Sequence, residues 1–98
     1  MIATLPNQEQ VDRIASELAP EVVRIRFNVG RDWSEDPAIY FRVVLSDKAS
    51  QRDHLADVTG QVREKLFNEL QMSELEHIPY FRFRSLSEQA NLNDPAWD

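Results

Sequence analysis

"EVVRIRFNVGRDWSEDPAIYFRVVLS", residues 21–46, decides the fold. Its first part alternates: Val23, Ile25, Phe27 and Val29 share one parity, and Val22, Arg24, Arg26 and Asn28 share the other. After "GRDWSEDP" the alternation resumes. Ile39, Phe41, Val43 and Leu45 take one side, and Tyr40, Arg42 and Val44 take the other. A period of two over both runs, joined by a stretch of turn-forming residues, predicts a hairpin with an extended tip. One face of that hairpin is apolar and must be covered.

Reading outward, the cover is supplied on both sides. Upstream, Val11, Ile14, Ala15 and Leu18 recur at helical spacing from about Gln8 to Ala19, with Asn7 placed to cap, Gln10 to complete a capping box, and Pro20 to stop the helix. Downstream, Leu55, Val58, Val62, Leu66 and Leu70 form a longer stripe reaching to about Met72, with Ser50 and Asp53 as its predicted start. "IPYFRFRS", residues 78–85, alternates again and predicts a third strand opened by Pro79. The order α-β-β-α-β implies an α+β fold: a two-layer sandwich whose three-stranded sheet carries two helices on one face. The long helix crosses between the second and third strands, so those two should run parallel, with a right-handed crossover. The alternation leaves open which strand the third one pairs with. Residues 86–98 are read as a C-terminal tail of a single domain spanning 1–98, with a short helix, a docked segment and a loose end all open.

Composition narrows the function. Ninety-eight residues make one domain with a modest core. No apolar run is long enough to span a bilayer, and "MIATLPNQEQ" lacks the basic end and apolar stretch of a secretory leader. No membrane association and a cytoplasmic setting are therefore expected. With no cysteine there is neither a disulfide nor a thiolate metal site. The formal net charge of -6 disfavours generic nucleic-acid binding. Yet nine of the eleven basic residues are arginine, the residue suited to planar and stacked contacts.

Those arginines are not scattered. On the parity facing away from the helices stand Arg24 and Arg26, then Tyr40 and Arg42, then Tyr80, Arg82 and Arg84. Like charges opposite one another on a sheet repel by roughly 0.2–1 kcal/mol each, so an anionic group is expected near them. Three sources are open. The acidic loop at Asp32, Glu35 and Asp36, or the tail with Glu88, Asp94 and Asp98, folds over the face. A protein partner or a second copy docks there, since Tyr, Trp and Arg dominate interface hot spots. Or single-stranded RNA or a nucleotide stacks on the tyrosines. Trp33 at the hairpin tip and Trp97 in the tail join the candidate contact residues.

Motifs for chemistry are missing. Only two glycines occur, which excludes a glycine-rich phosphate loop. His54 and His77 have no ligand spacing, and the acidic loop matches no calcium-binding pattern, so no metal and no cofactor are expected. Glu74 and Glu76 beside His77 have no fixed geometry, and no serine lies in a GxSxG elbow. An arginine–tyrosine set could stabilise charge on a scissile phosphate, but no general base shares its face. No catalytic residue is assigned, and a non-enzymatic protein is expected.

"RDWSEDPAIYFRVVLSD", "YFRFRSLSEQ" and "DPAW" together resemble a family of short bacterial proteins of no settled function. The likeness runs from about residue 21 to residue 97. This chain departs from it at Glu35, where glycine is common in the family. Members are similar in being encoded beside small all-helical proteins of the HEPN type. The resemblance implies the acidic antitoxin or regulatory member of a two-component unit, and it carries over no catalytic residues. The GS…DxD pattern of the nucleotidyltransferases that accompany such helical proteins is missing. The expected function is therefore a protein-interaction module, with RNA or nucleotide binding on the arginine–tyrosine face as the alternative.

Overall fold

A computed structural model describes residues 4–98. Helix α1 spans Gln8–Glu17, β1 Val22–Arg31, β2 Pro37–Leu45, α2 Arg52–Glu69, β3 Ile78–Ser85 and α3 Leu86–Leu92, with short 3-10 turns at Met72–Glu74 and Pro95–Trp97. The fold is α+β, with a mixed three-stranded sheet ordered β1-β2-β3. β1 and β2 are antiparallel, and β2 and β3 are parallel. The third strand therefore sits beside the second, and β2 is central.

The capping box on α1 forms as its residues require. The Asn7 side chain accepts from the Gln10 amide at 2.9 Å, and the Gln10 side chain accepts from the Asn7 amide at 3.0 Å. The start of α2 differs from the expectation. Its flanking residue is Gln51, with no side-chain cap, while the Ser50 hydroxyl donates back to the Ser46 carbonyl at 2.9 Å. Ser50 is thus spent on the preceding turn. That helix also ends earlier than Met72, because Gln71 adopts a left-handed conformation (φ 53°).

One core joins the helices to the sheet. Val11, Ile14 and Ala15 of α1, Ile25, Ile39, Phe41, Val43 and Leu45 of the strands, and Val58, Val62 and Leu66 of α2 form a continuous buried cluster. Several positions depart from the predicted stripes, among them Val29, which is exposed near the end of β1. The β1–β2 register shifts between Val22 and Arg24, so Val22 is 3% exposed and Val23 40% exposed, the reverse of simple alternation. Leu55, near the start of α2, is 39% exposed and lies outside the core. No helix among the described residues is long and apolar enough to cross a membrane.

The tail is the main addition. Ser85 caps α3 through a second capping box with Glu88, both bonds at 3.1 Å. Asp47, at the end of β2, reinforces that start. It accepts from the Ser87 amide at 3.0 Å and the Ser87 hydroxyl at 2.5 Å. Asn93 closes the helix in the left-handed conformation (φ 50°), and the final turn comes back across the sheet on the face opposite α1 and α2. The two layers thus gain a partial third, and residues 86–98 are a docked helix and turn.

Candidate functional site: the arginine–tyrosine face and the hairpin tip

Register turns the predicted face into rows. Arg24, Val44 and Arg84 lie side by side; then Arg26, Arg42 and Arg82; then Asn28, Tyr40 and Tyr80. The sheet does bring the arginines of all three strands onto one side. What lies over them is the chain's own last turn.

Three successive main-chain oxygens each receive one guanidinium Nε–H. Arg42 donates to the Ala96 carbonyl at 2.6 Å, Arg24 to that of Trp97 at 2.7 Å, and Arg26 to that of Asp98 at 2.8 Å. Carboxylates add to this from further off. Asp98 lies 3.3 Å from Arg24, Asp94 3.7 Å from Arg84, and Asp12 of α1 3.5 Å from Arg26. These pairs are partly solvated and contribute little individually. Trp97, 2% exposed, is buried beneath the turn, with the Arg84 guanidinium stacked 4.2 Å from its ring centroid and that of Arg82 at 5.9 Å. The buried Gln89 side chain ties the layer together. It donates to the Asp94 carbonyl at 2.6 Å and to the Asp98 carboxylate at 3.2 Å, and it accepts from Arg84 at 3.0 Å.

Trp97 is therefore an internal packing residue rather than a surface contact. Arg24, Arg26, Arg42 and Arg84 are engaged internally as well. Arg42 also donates to the Asn28 side chain. Burial, aided by the charge of Arg26, lowers the pKa of Arg42 from its ordinary value against the opposing pull of Asp94. Among the described residues, Arg82 is the arginine of the face whose side chain makes neither a hydrogen bond nor an ion pair, and it is exposed.

The tyrosines serve the tip. Tyr40 and Tyr80 stack on each other with centroids 5.3 Å apart. The Tyr40 hydroxyl donates to the Arg31 carbonyl at 2.8 Å, and the Tyr80 hydroxyl donates to Asp32 at 2.9 Å. Asp32, a turn-former by residue type, organises the tip. Its other carboxylate oxygen accepts from the Ser34 amide and hydroxyl, both at 2.9 Å, and from the Asp36 amide at 3.0 Å. Burial pushes the Asp32 carboxyl up, but the bonds from Tyr80, Ser34 and the Asp36 and Ser34 amides outweigh it and hold the pKa below its ordinary value. Tyr80 is raised by the same bond to Asp32, then by burial and nearby charge. Signals for this role were present: Asp followed two and four residues later by Ser and Asp is an Asx-turn pattern.

On this clamped loop Trp33 stands 91% exposed. No group of three or more His, Cys, Asp or Glu side chains that could hold a metal ion occurs among the described residues. The comparisons with known proteins found no match, whether among family models, curated proteins or solved structures.

Proposed function

We propose that this protein is a non-catalytic interaction module that recognises another protein through its hairpin tip. The observation that carries this reading is Trp33. A large aromatic side chain stands almost wholly in solvent on a loop held by four hydrogen bonds to one carboxylate. A rigid support means that little conformational entropy is lost when the ring is buried by a partner. Tryptophan is among the residues that most often dominate binding energy. Arg31, exposed beside it, donates to the Glu35 carbonyl at 2.8 Å and keeps its charge at the rim. In the setting implied by the family resemblance, the partner is the helical protein encoded alongside, and this chain is its acidic antitoxin or regulator.

Co-expression with that neighbour and capture through a tag on either chain tests the reading. A complex is expected, and Trp33→Ala should weaken it by at least about 2 kcal/mol, or roughly thirtyfold, with thermal stability unchanged. Failure to form a complex, or a complex indifferent to Trp33→Ala, removes the proposal.

The RNA alternative draws on Arg82 and the stacked tyrosines. It requires residues 94–98 to lift from the other arginines. Titration with single-stranded RNA over a salt series decides it: phosphate contacts predict a steep loss of affinity with salt, and no binding at low salt eliminates it.

A further inference from the structure

We infer that the outer edge of β3 is a strand-addition site for an extended acidic segment of a partner protein. Both edge strands of this sheet present unpaired backbone, yet they are treated differently. On β1 the Ile25 carbonyl accepts from the Gln8 side chain at 2.9 Å and from Arg26 at 3.2 Å, and the register shift near Val22 bends the strand. Such devices blunt an edge. On β3, no hydrogen bond from outside the sheet reaches the backbone N–H or C=O groups of residues 78–84 among the described residues. The strand is 8 residues long, and beyond Pro79, which has no N–H to donate, residues 80–85 can carry a ladder.

The helical layer also stops short of this edge. Phe41 and Val43 on β2 are completely buried, while their neighbours Phe81 and Phe83 on β3 are only half-buried. Between α2 and β3 runs a groove of about 650 Å³, with Leu55 and Phe83 in its apolar wall. Its rim carries the cations Arg52 and Arg63 against a single carboxylate, Glu88, while Arg84 also lines it but turns its guanidinium to Trp97 on the other face. The Arg63 guanidinium lies 5.3 Å from the Phe83 ring centroid and 6.0 Å from that of Phe81. Arg82 projects from the opposite side of the same strand. On a chain of net charge -6, this edge is flanked by cations on both sides.

That distribution selects the occupant. A second copy pairing edge to edge would bring the Arg82 residues of both chains to one shared seam, a like-charge approach that disfavours it. An incoming strand of alternating aliphatic and acidic residues fits instead. Its aliphatic parity enters beside Leu55 and Phe83, its carboxylates project to the other face beside Arg82, its backbone pairs with β3, and Arg52 and Arg63 on the near rim attract its negative charge at longer range. The inference shares with the tip reading only the premise that the chain binds protein.

The probe is acetyl-GEVEVEVEG-amide, titrated into the whole protein while backbone amide exchange is followed residue by residue. We expect saturable binding below about 100 µM and slowed exchange within 78–85 but not on β1. Arg63→Glu and Arg82→Glu, both at exposed positions, should each weaken binding at least about tenfold, and Trp33→Ala should leave it unchanged. The same peptide with proline for valine keeps its charge but cannot build a ladder, and it should not bind. Binding of the proline peptide equal to the parent, binding without protection of β3, or no binding at all overturns the inference without touching the Trp33 reading. Sedimentation as a dimer with β3 already protected overturns it in favour of a second copy.

Discussion

Asp32 and Glu35 show how one short loop gains rigidity and retains strain together. Asp32 accepts four hydrogen bonds and fixes the tip, whereas Glu35, three residues on, holds a φ of 66°. That is the left-handed region, where a Cβ meets the following carbonyl and costs about 1–2 kcal/mol. The Glu35 backbone is well used, its amide donating to Asp32 at 3.0 Å and its carbonyl accepting from Arg31. Among the described residues its side chain makes no hydrogen bond or ion pair. Glu35→Gly should therefore raise stability by about 0.5–1 kcal/mol in urea unfolding, the relief exceeding glycine's extra chain entropy. A loss of stability would show that the loop is not held as described.

At the scale of elements, the C-terminal turn decides what the sheet can offer. Trp97 is enclosed against the Arg82 and Arg84 guanidinium groups, and Gln89 anchors the turn from α3. Trp97→Ala should destabilise the protein by about 3–5 kcal/mol in denaturant unfolding, the range for an enclosed large aromatic. Gln89→Ala should cost about 1–3 kcal/mol, because Arg84 and the Asp94 carbonyl each lose a bond. Both elements of the core face were legible in the sequence. The stripe Val11, Ile14 and Ala15 and the parity of Ile25, Phe41 and Val43 each follow from period alone. Val22 and Val23 were not, because a bulge depends on pairing partners that local periodicity does not contain. The phase of the arginines was legible, and a cover on them was one of three readings. That the shortest bonds of the cover would go to three main-chain oxygens, with Asp94 and Asp98 further off, was beyond sequence patterns, since every residue has a carbonyl. The β3 groove was equally hidden. It arises where α2 fails to reach, a matter of how layers align rather than of which residues alternate.

For the whole molecule, protonation ties distant segments to one stability curve. Asp32 joins the tip to β3, and Asp47 joins the end of β2 to α3 through Ser87, whose hydroxyl and amide hold that carboxyl low. A carboxyl whose pKa is lower folded than unfolded stabilises the fold above its ordinary value of 3.8, and that contribution is lost as pH falls through the folded value. Tyr80 runs the other way. Raised above 10.0, it stabilises below that pH, and the contribution is lost as pH rises through its folded value. Thermal melts should thus show a plateau bounded by acid and alkaline declines. Asp32→Asn should soften the acid decline, and Tyr80→Phe should soften the alkaline one. An acid decline unchanged by Asp32→Asn would place its origin elsewhere.

The two tryptophans sit at opposite extremes, one bathed in water and one enclosed among guanidinium groups. Intrinsic fluorescence is therefore a mixture of a red-shifted and a blue-shifted emitter in a single chain. Replacing Trp33 with phenylalanine leaves an optical gauge of whether the last turn is seated, and replacing Trp97 leaves one that reports only on what arrives at the loop.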